Sequence, residues 1–495
     1  MPKEPEREEI KIEEEQKEEG HSTPEYIEPP EKPTVLATIK RGFVTEFPED
    51  LDRKQARRDV VAIAWPALIE SFLLHLASMV NTMMVGSLGP LAIAAVGFCN
   101  QPRLLMASVF MAFNTGSTAL IARAKGAGNM IEANKVMHQA VLFGMTASII
   151  LAILGSVFAR NLIILMGASE PQTIEWATQY FQIIMLTFPA NAFSLAVTAM
   201  LRGVGRTRVS LVYNMTANIV NVIVGFLLIQ GRFGLPALGV RGAAIGLGAG
   251  QVIAAAMALV IIIRGDGMLR LRLKSLLKID LSILKRVIRI GAPAMFEQLC
   301  MRVGNILFVR VVASLGDVEF ATHQIAMNVH QFTFMNGQAF GISATSLLGQ
   351  SLGRNRPDQG RALVQLCRRY SLFLALALAG IIAIFSRQIV GLYIDDVYVI
   401  ALGSTLLLIV AFLQPFQSSQ QVLAGALRGA GDTKAVALCI FIGVMVIRPV
   451  VSFAFVNLFT LGLVGVWLAI VLDQGTRSLY TMWRFISDKW RKIRV

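Results

Sequence analysis

Pro66-Ala67-Leu68-Ile69-Glu70 and Pro293-Ala294-Met295-Phe296-Glu297 are one word written twice, 227 residues apart. At the same shift Ser87-Leu88-Gly89 falls on Ser314-Leu315-Gly316, Ala112-Phe113 on Ala339-Phe340, Thr118 on Thr345 and Gly126 on Gly353. One residue is then lost. At a shift of 226, Pro189 matches Pro415 and Leu201-Arg202-Gly203-Val204-Gly205 matches Leu427-Arg428-Gly429-Ala430-Gly431. The repeated stretches are mostly apolar, and each carries one carboxylate inside a run long enough to cross a bilayer. Duplicated membrane halves with a lone acid near the pseudo-axis are how transporters place a site between two moving lobes.

Composition agrees. Of 495 residues 55% are apolar and only 16% charged, against roughly 45–50% and about 25% in soluble domains. The mean hydropathy is +0.60. Half of the 32 acids lie in residues 1–52 with only 7 of the 46 bases, leaving 39 bases against 16 acids in the remainder. The bases sit between apolar runs and form no continuous stripe, which argues against nucleic acid and for the loops of a membrane protein. Residues 1–52, acidic and dotted with Pro24, Pro29, Pro30 and Pro33, bury too little apolar area to order and read as a disordered tail without a secretory signal. Cys99, Cys300, Cys367 and Cys439 are dispersed and have no metal or disulfide spacing, so they read as small buried hydrophobes.

At roughly 20 apolar residues per crossing, spans fall near 60–85, 93–121, 134–158, 173–200, 208–230 and 240–263, then 284–312, 320–348, 361–385, 398–427, 434–458 and 463–486. The expected fold is an all-α integral membrane protein of twelve transmembrane helices in two six-helix lobes related by the internal repeat. The expected layout is a charged cytoplasmic tail over 1–52, an N-lobe over 53–263, an amphipathic cytoplasmic linker over 264–283, a C-lobe over 284–486 and a basic tail over 487–495. Alternate junctions are basic, as at Arg123 and Lys125, Arg202 and Arg206, Arg354 and Arg356, and Arg428 and Lys434. The positive-inside rule therefore puts both termini in the cytoplasm, with the chain in the cell (inner) membrane. Asp280 reads as the N-cap of the seventh span.

The repeated words resemble those of MATE exporters, the multidrug and toxic compound extrusion family. Three elements carry the resemblance. One is Met79-Val80-Asn81-Thr82-Met83-Met84-Val85-Gly86-Ser87-Leu88-Gly89; another is the loop pair at Gly126 and Gly353; the third is the pair Leu201–Thr207 and Leu427–Thr433. The resemblance covers residues 55–486 and implies two lobes in a V, a central cavity and export in exchange for protons or sodium. Many prokaryotic members carry aspartate where this chain has Asn81, and Asn followed four residues later by Asp where it has Asn221 and Gly225. The N-lobe acid pair of those branches is missing. The family's glutamate in the seventh span has a counterpart in Glu297, by helix rather than by column.

Only Glu70, Glu297 and Asp473 lie well inside the expected spans. A carboxylate at membrane depth costs roughly 2.5–3.5 kcal/mol, so it needs a partner or a function. Glu70 and Glu297 each follow a proline, Pro66 and Pro293, by about one helical turn; a proline frees a carbonyl and can kink the helix. All three acids are candidates for ion coupling, in the order Glu297, Glu70, Asp473. The alternative reading makes them structural ion pairs: Glu70 with Arg103, Glu297 with Arg302 or Arg310, Asp473 with Arg477 one turn on. Protons are favoured over sodium, because a sodium cage wants several oxygen ligands and the second acid is absent. His75 is a candidate proton relay or a packing residue. His323 and His330 share a helix face without the carboxylates of a metal site.

Candidate cavity residues are Asn81, Met83, Met106, Asn114, Met301, Asn328, Gln331, Met335 and Gln338, since methionine and amide walls suit varied ligands. The leading expectation is a monomeric secondary transporter that exports amphipathic, often cationic, drug-like molecules, with membrane lipids as surroundings. It has no cofactor, no metal and no enzymatic motif. The alternative is a flippase for a lipid-linked precursor, whose cavity would be cationic through Arg103, Arg302, Arg310 and Arg448. The exporter instead predicts acids exposed in the cavity.

Overall fold

A computed structural model describes residues 47–265, 269–271 and 279–493. The acidic tail falls almost wholly outside the described residues, as does most of the alternating stretch of the linker. The apolar runs fold as long helices: α1 (Arg53–Gly86), α2 (Pro90–Gly126), α3 (Met130–Val157), the short α4 (Ala159–Leu165), α5 (Pro171–Gly203), α6 (Thr207–Gln230) and α7 (Val240–Arg264). The second half repeats them as α8 (Leu281–Ala313), α9 (Asp317–Gly353), α10 (Pro357–Gly391), α11 (Val397–Gly429), α12 (Thr433–Ile440) and α14 (Gly462–Ile486). Between α12 and α14 the rod continues through a π-helical turn (Phe441–Ile447) into α13 (Arg448–Asn457). No strand occurs among the described residues. Among them nine helical rods are long and apolar enough to cross a membrane; α8, α9 and α14 have the length but fall outside that set. Their extra charge is informative, because α8 and α14 carry Glu297 and Asp473.

Local signals set the boundaries. Pro90, Pro171 and Pro357 open helices where a missing N–H costs nothing. Asp280 caps α8 as expected, its carboxylate accepting from the backbone N–H of Ser282 at 3.0 Å and of Ile283 at 3.3 Å. α1 and α8 run unbroken through Pro66 and Pro293. The four cysteines are buried and free.

The halves meet at the basic ends of α2, α8 and α9. Gly126 and Gly353, equivalent in the repeat, let α2 and α9 cross backbone to backbone. A Cβ at Gly126 would collide with the carbonyl of Gln350, and one at Gly353 with that of Arg123. The Gly203 carbonyl, at the end of α5, accepts from Ser346 Oγ and Gln350 Nε2 of α9, both at 3.1 Å. The start of α8 joins this seam: Arg286 Nη1 lies 2.7 Å from Glu132 Oε1, and a Cβ at Gly116 would strike the backbone of Val287. α6 and α7 also pack by glycine. A Cβ at Gly246 would lie 2.7 Å from the nitrogen of Gly225, so the two helix backbones touch there, while a side chain on Gly225 itself would point at Met84 of α1.

Candidate functional site

All three membrane acids are buried, and each is paired with arginine. Glu70, 2% exposed, projects from α1. Its Oε1 accepts from Arg202 Nη2 at 3.0 Å and from Asn214 Nδ2 at 2.6 Å, and Ser210 Oγ lies 3.5 Å from Oε2. Ser210 and Asn214 stand one turn apart on α6 and so share a face. Asn214 also donates to Thr198 Oγ1 at 3.3 Å, and Thr198 pairs with the Tyr213 hydroxyl. In the second half Glu297, 4% exposed, is gripped by Arg428 alone among the described residues, with Nη2 at 2.5 Å and Nε at 3.4 Å. This two-armed, charge-assisted contact is the strong form of the bond.

The partners differ from those expected. Arg103, Arg302 and Arg310 reach neither glutamate. Arg202 and Arg428, read from the sequence as loop charges, belong to the last turns of α5 and α11 and fold back onto the acids. A cation is favoured at a helix C-terminus, and there each guanidinium is level with its glutamate. The contact with α6 also fixes the place of Glu70 along α1. Thr207, opening α6, donates to the carbonyls of Ala62 and Ile63, so Glu70 lies about 10 Å further along α1, seven residues at 1.5 Å each. That is close to the middle of α1, which runs from Arg53 to Gly86.

The prolines add an asymmetry. Pro66 frees the carbonyl of Ala62, four residues earlier. Thr207 Oγ1 takes that carbonyl at 3.3 Å and the next at 3.1 Å, tying α6 to the proline turn of α1. Thr433 is the repeat equivalent of Thr207, yet its buried hydroxyl has no hydrogen-bond partner. Pro293 is left untied.

Asp473 has the expected Arg477 and a second guanidinium besides. Arg477 Nε and Nη2 each lie 2.8 Å from its oxygens; Arg448 Nη2 lies at 2.6 Å and Nε at 3.0 Å. Arg448 Nη1 donates onward to Asn305 Oδ1 at 3.2 Å. The π-helical turn just before Arg448 is the kind of irregularity that re-aims a side chain. Its Gly443 lies flat on this cluster, since a Cβ there would meet the Asp473 carboxylate. An aromatic chain continues the site: Phe308 to His323 at 5.6 Å, His323 to Trp467 at 5.6 Å and His330 to Trp467 at 6.1 Å between centroids. His330 Nε2 then meets Gln417 Oε1 at 2.9 Å. Among the described residues no group of His, Cys, Asp and Glu could hold a metal.

The other expected residues are scattered by comparison. His75 is exposed on α1 with no hydrogen bond to Glu70 among the described contacts. Met83, Asn328, Gln331 and Gln338 are exposed, and Asn81, Met106, Asn114 and Met301 are half-buried. Met335 is instead buried, on the stretch of α9 where Gly337 and Gly341 bring α11 close. Arg448 is neutralised by Asp473, which removes it from the cationic cavity of the flippase reading. Arg202 and Arg428 were missed as site residues although the signal was present: they repeat in step with the two glutamates.

Two helical halves with buried, repeat-related ion pairs beside a glycine seam define a membrane transporter built by duplication. The MatE family model matches twice, over residues 66–227 and 293–454, and the chain belongs to that family of MATE transporters, which are not enzymes. It is 27% identical to the probable multidrug resistance protein NorM of Thermotoga maritima, over 89% of this chain and 94% of that one. It is also 27% identical to the uncharacterized transporter YisQ of Bacillus subtilis, over 87% and 94%. A solved MOP superfamily transporter from Pyrococcus furiosus superposes with a TM-score of 0.82 at 19% identity, over 94% of this chain and 100% of that one, a likeness of fold.

Proposed function

We propose that the chain exports amphipathic, often cationic organic molecules across the inner membrane by antiport with protons, its two lobes rocking about the glycine seam. The relatives named as multidrug resistance proteins support the substrate class. Both termini and the seam face the cytoplasm in this reading, by the distribution of bases.

One observation carries the coupling. Glu297 is a buried carboxylate whose described partner is Arg428 alone, on a helix whose proline is untied. Proton uptake by Glu297 cancels its charge and releases Arg428. The half of α8 before Pro293, which holds Glu132 through Arg286 and packs on Gly116, then turns on the proline and loosens the seam. Glu70, with Asn214 and Ser210 in addition to Arg202 and with Thr207 pinning the turn at its proline, is the stiffer copy and ranks second. Asp473 ranks third, because two guanidiniums would have to be released together. The expectation that an exporter exposes its acids in the cavity is not met, since all three are buried against arginine; in this reading drug and proton therefore compete through lobe shape rather than for one carboxylate.

Everted vesicles loaded through a preset gradient, with a fluorescent organic cation, test the reading. Efflux that follows the proton gradient and ignores sodium supports it. Efflux that persists with neither gradient contradicts it.

A further inference from the structure

The missing Thr433 tie has a spatial consequence. Where Thr207 holds α6 against α1, a groove separates α12 from α8. Its outer part is a cavity of about 540 Å³ between the start of α8, the start of α12 and the end of α14, lined by Arg286, Arg289, Lys434, Tyr480, Arg484 and Asp432 among others. It runs on into a space of about 700 Å³ walled by Pro293, Phe296, Leu438 and Phe441, with Arg289 and Lys434 common to both. Phe296 and Phe441 pack against each other along its wall, 5.9 Å between centroids. The groove is basic at its mouth and apolar along its length.

The charges at the mouth are not balanced. Arg484 is spent on Asp432 at 2.6 Å and Arg286 on Glu132. Arg289 and Lys434 are exposed and have no carboxylate partner among the described residues. Trp483, exposed nearby on α14 with Lys489 5.0 Å from its ring, marks the headgroup level. The repeat accounts for only half of this pair: Lys434 falls on the basic Arg208, but the N-lobe position equivalent to Arg289 is Ala62, so the paired charge belongs to the second half alone.

We propose that this groove binds one anionic phospholipid of the leaflet at the basic end, its phosphate on Arg289 and Lys434 and an acyl chain along Pro293, Phe296, Leu438 and Phe441. Basic pockets between membrane helices on the cytoplasmic side suit such headgroups. The inference rests on that end facing the inner leaflet and is independent of which ion is coupled. A lipid seated there fills the gap beside Pro293 and holds α8 in its present course.

Native mass spectrometry of the purified full-length protein with added phosphatidylglycerol or phosphatidylcholine tests it. Phosphatidylglycerol should be retained preferentially. R289A/K434A should weaken its retention by about thirtyfold, at roughly fivefold per basic side chain near an anionic headgroup, and leave phosphatidylcholine unchanged. The charge-preserving R289K/K434R should keep most of the preference, which separates lost charge from lost folding. Equal retention of both lipids by the wild type, or an unchanged preference in R289A/K434A, would overturn the proposal. So would thermal stabilisation by inorganic phosphate matching that by phosphatidylglycerol, which would make the site one for a free anion.

Discussion

Glu297 Oε1 lies 2.5 Å from Arg428 Nη2, and the same contact is made 227 and 226 residues earlier by Glu70 and Arg202 at 3.0 Å. The ion pair was thus duplicated as a unit, with acid and base inherited together in both halves. The copies have since diverged in their surroundings, through Asn214 and Ser210 on one side and an untied Thr433 on the other.

Breaking a buried pair from one side leaves an uncompensated charge. Asp473→Asn strands Arg448 and Arg477 together and should destabilise the folded protein by roughly 3–5 kcal/mol, visible as a lowered melting temperature in detergent. Glu70→Gln should cost less, about 1–3 kcal/mol, because Asn214 and Ser210 can still bond an amide. A double-mutant cycle of Glu70→Gln with Arg202→Met should recover part of that loss. Full additivity would mean the pair does not interact.

At the seam, Gly353→Ala puts a methyl group into the Arg123 carbonyl and Gly126→Ala one into that of Gln350. Either should hold the basic ends of α2 and α9 apart. Spin labels across that crossing should report a longer mean distance than in the unsubstituted protein, with Gly97→Ala as a comparison on α2 at a helical site where a Cβ meets nothing. No change in distance for Gly353→Ala would mean the crossing is looser than described.

The cap of α8 has a pH signature. Hydrogen bonds from the Ser282 side chain, and from the backbone N–H groups of Ile283 and Ser282, hold the Asp280 carboxyl below its ordinary range. A carboxyl depressed by folding stabilises above its unfolded value and loses that contribution as pH falls through its folded value. The difference in melting temperature between wild type and Asp280→Ala should therefore stay constant from about pH 8 to pH 5 and shrink below about pH 4. A difference that instead grew in acid would contradict the cap.

The two halves were legible because the repeat survives in words such as Pro-x-x-x-Glu and Leu-Arg-Gly, and apolar runs of about 20 residues leave helices as the only choice. The acids were legible because charge is rare at membrane depth. Their partners were not. Helix periodicity points Glu70 toward bases on neighbouring spans, but which span end lies level with it depends on how α5 and α6 pack on α1, a tertiary fact. The Arg448–Asp473 contact escaped for a related reason. A π-helical turn shifts the register of everything after Phe441, and hydropathy does not show such a turn. The burial of Met335 was not legible either, because it follows from the close approach of α11 at Gly337 and Gly341.

Proton release on drug binding tests the central claim most directly. Adding a fluorescent cationic substrate to purified protein in weakly buffered detergent should release protons from the wild type and from Glu70→Gln, and none from Glu297→Gln, while all three remain folded. Proton release from Glu297→Gln equal to that of the wild type would contradict the assignment of the Glu297–Arg428 pair as the coupling site.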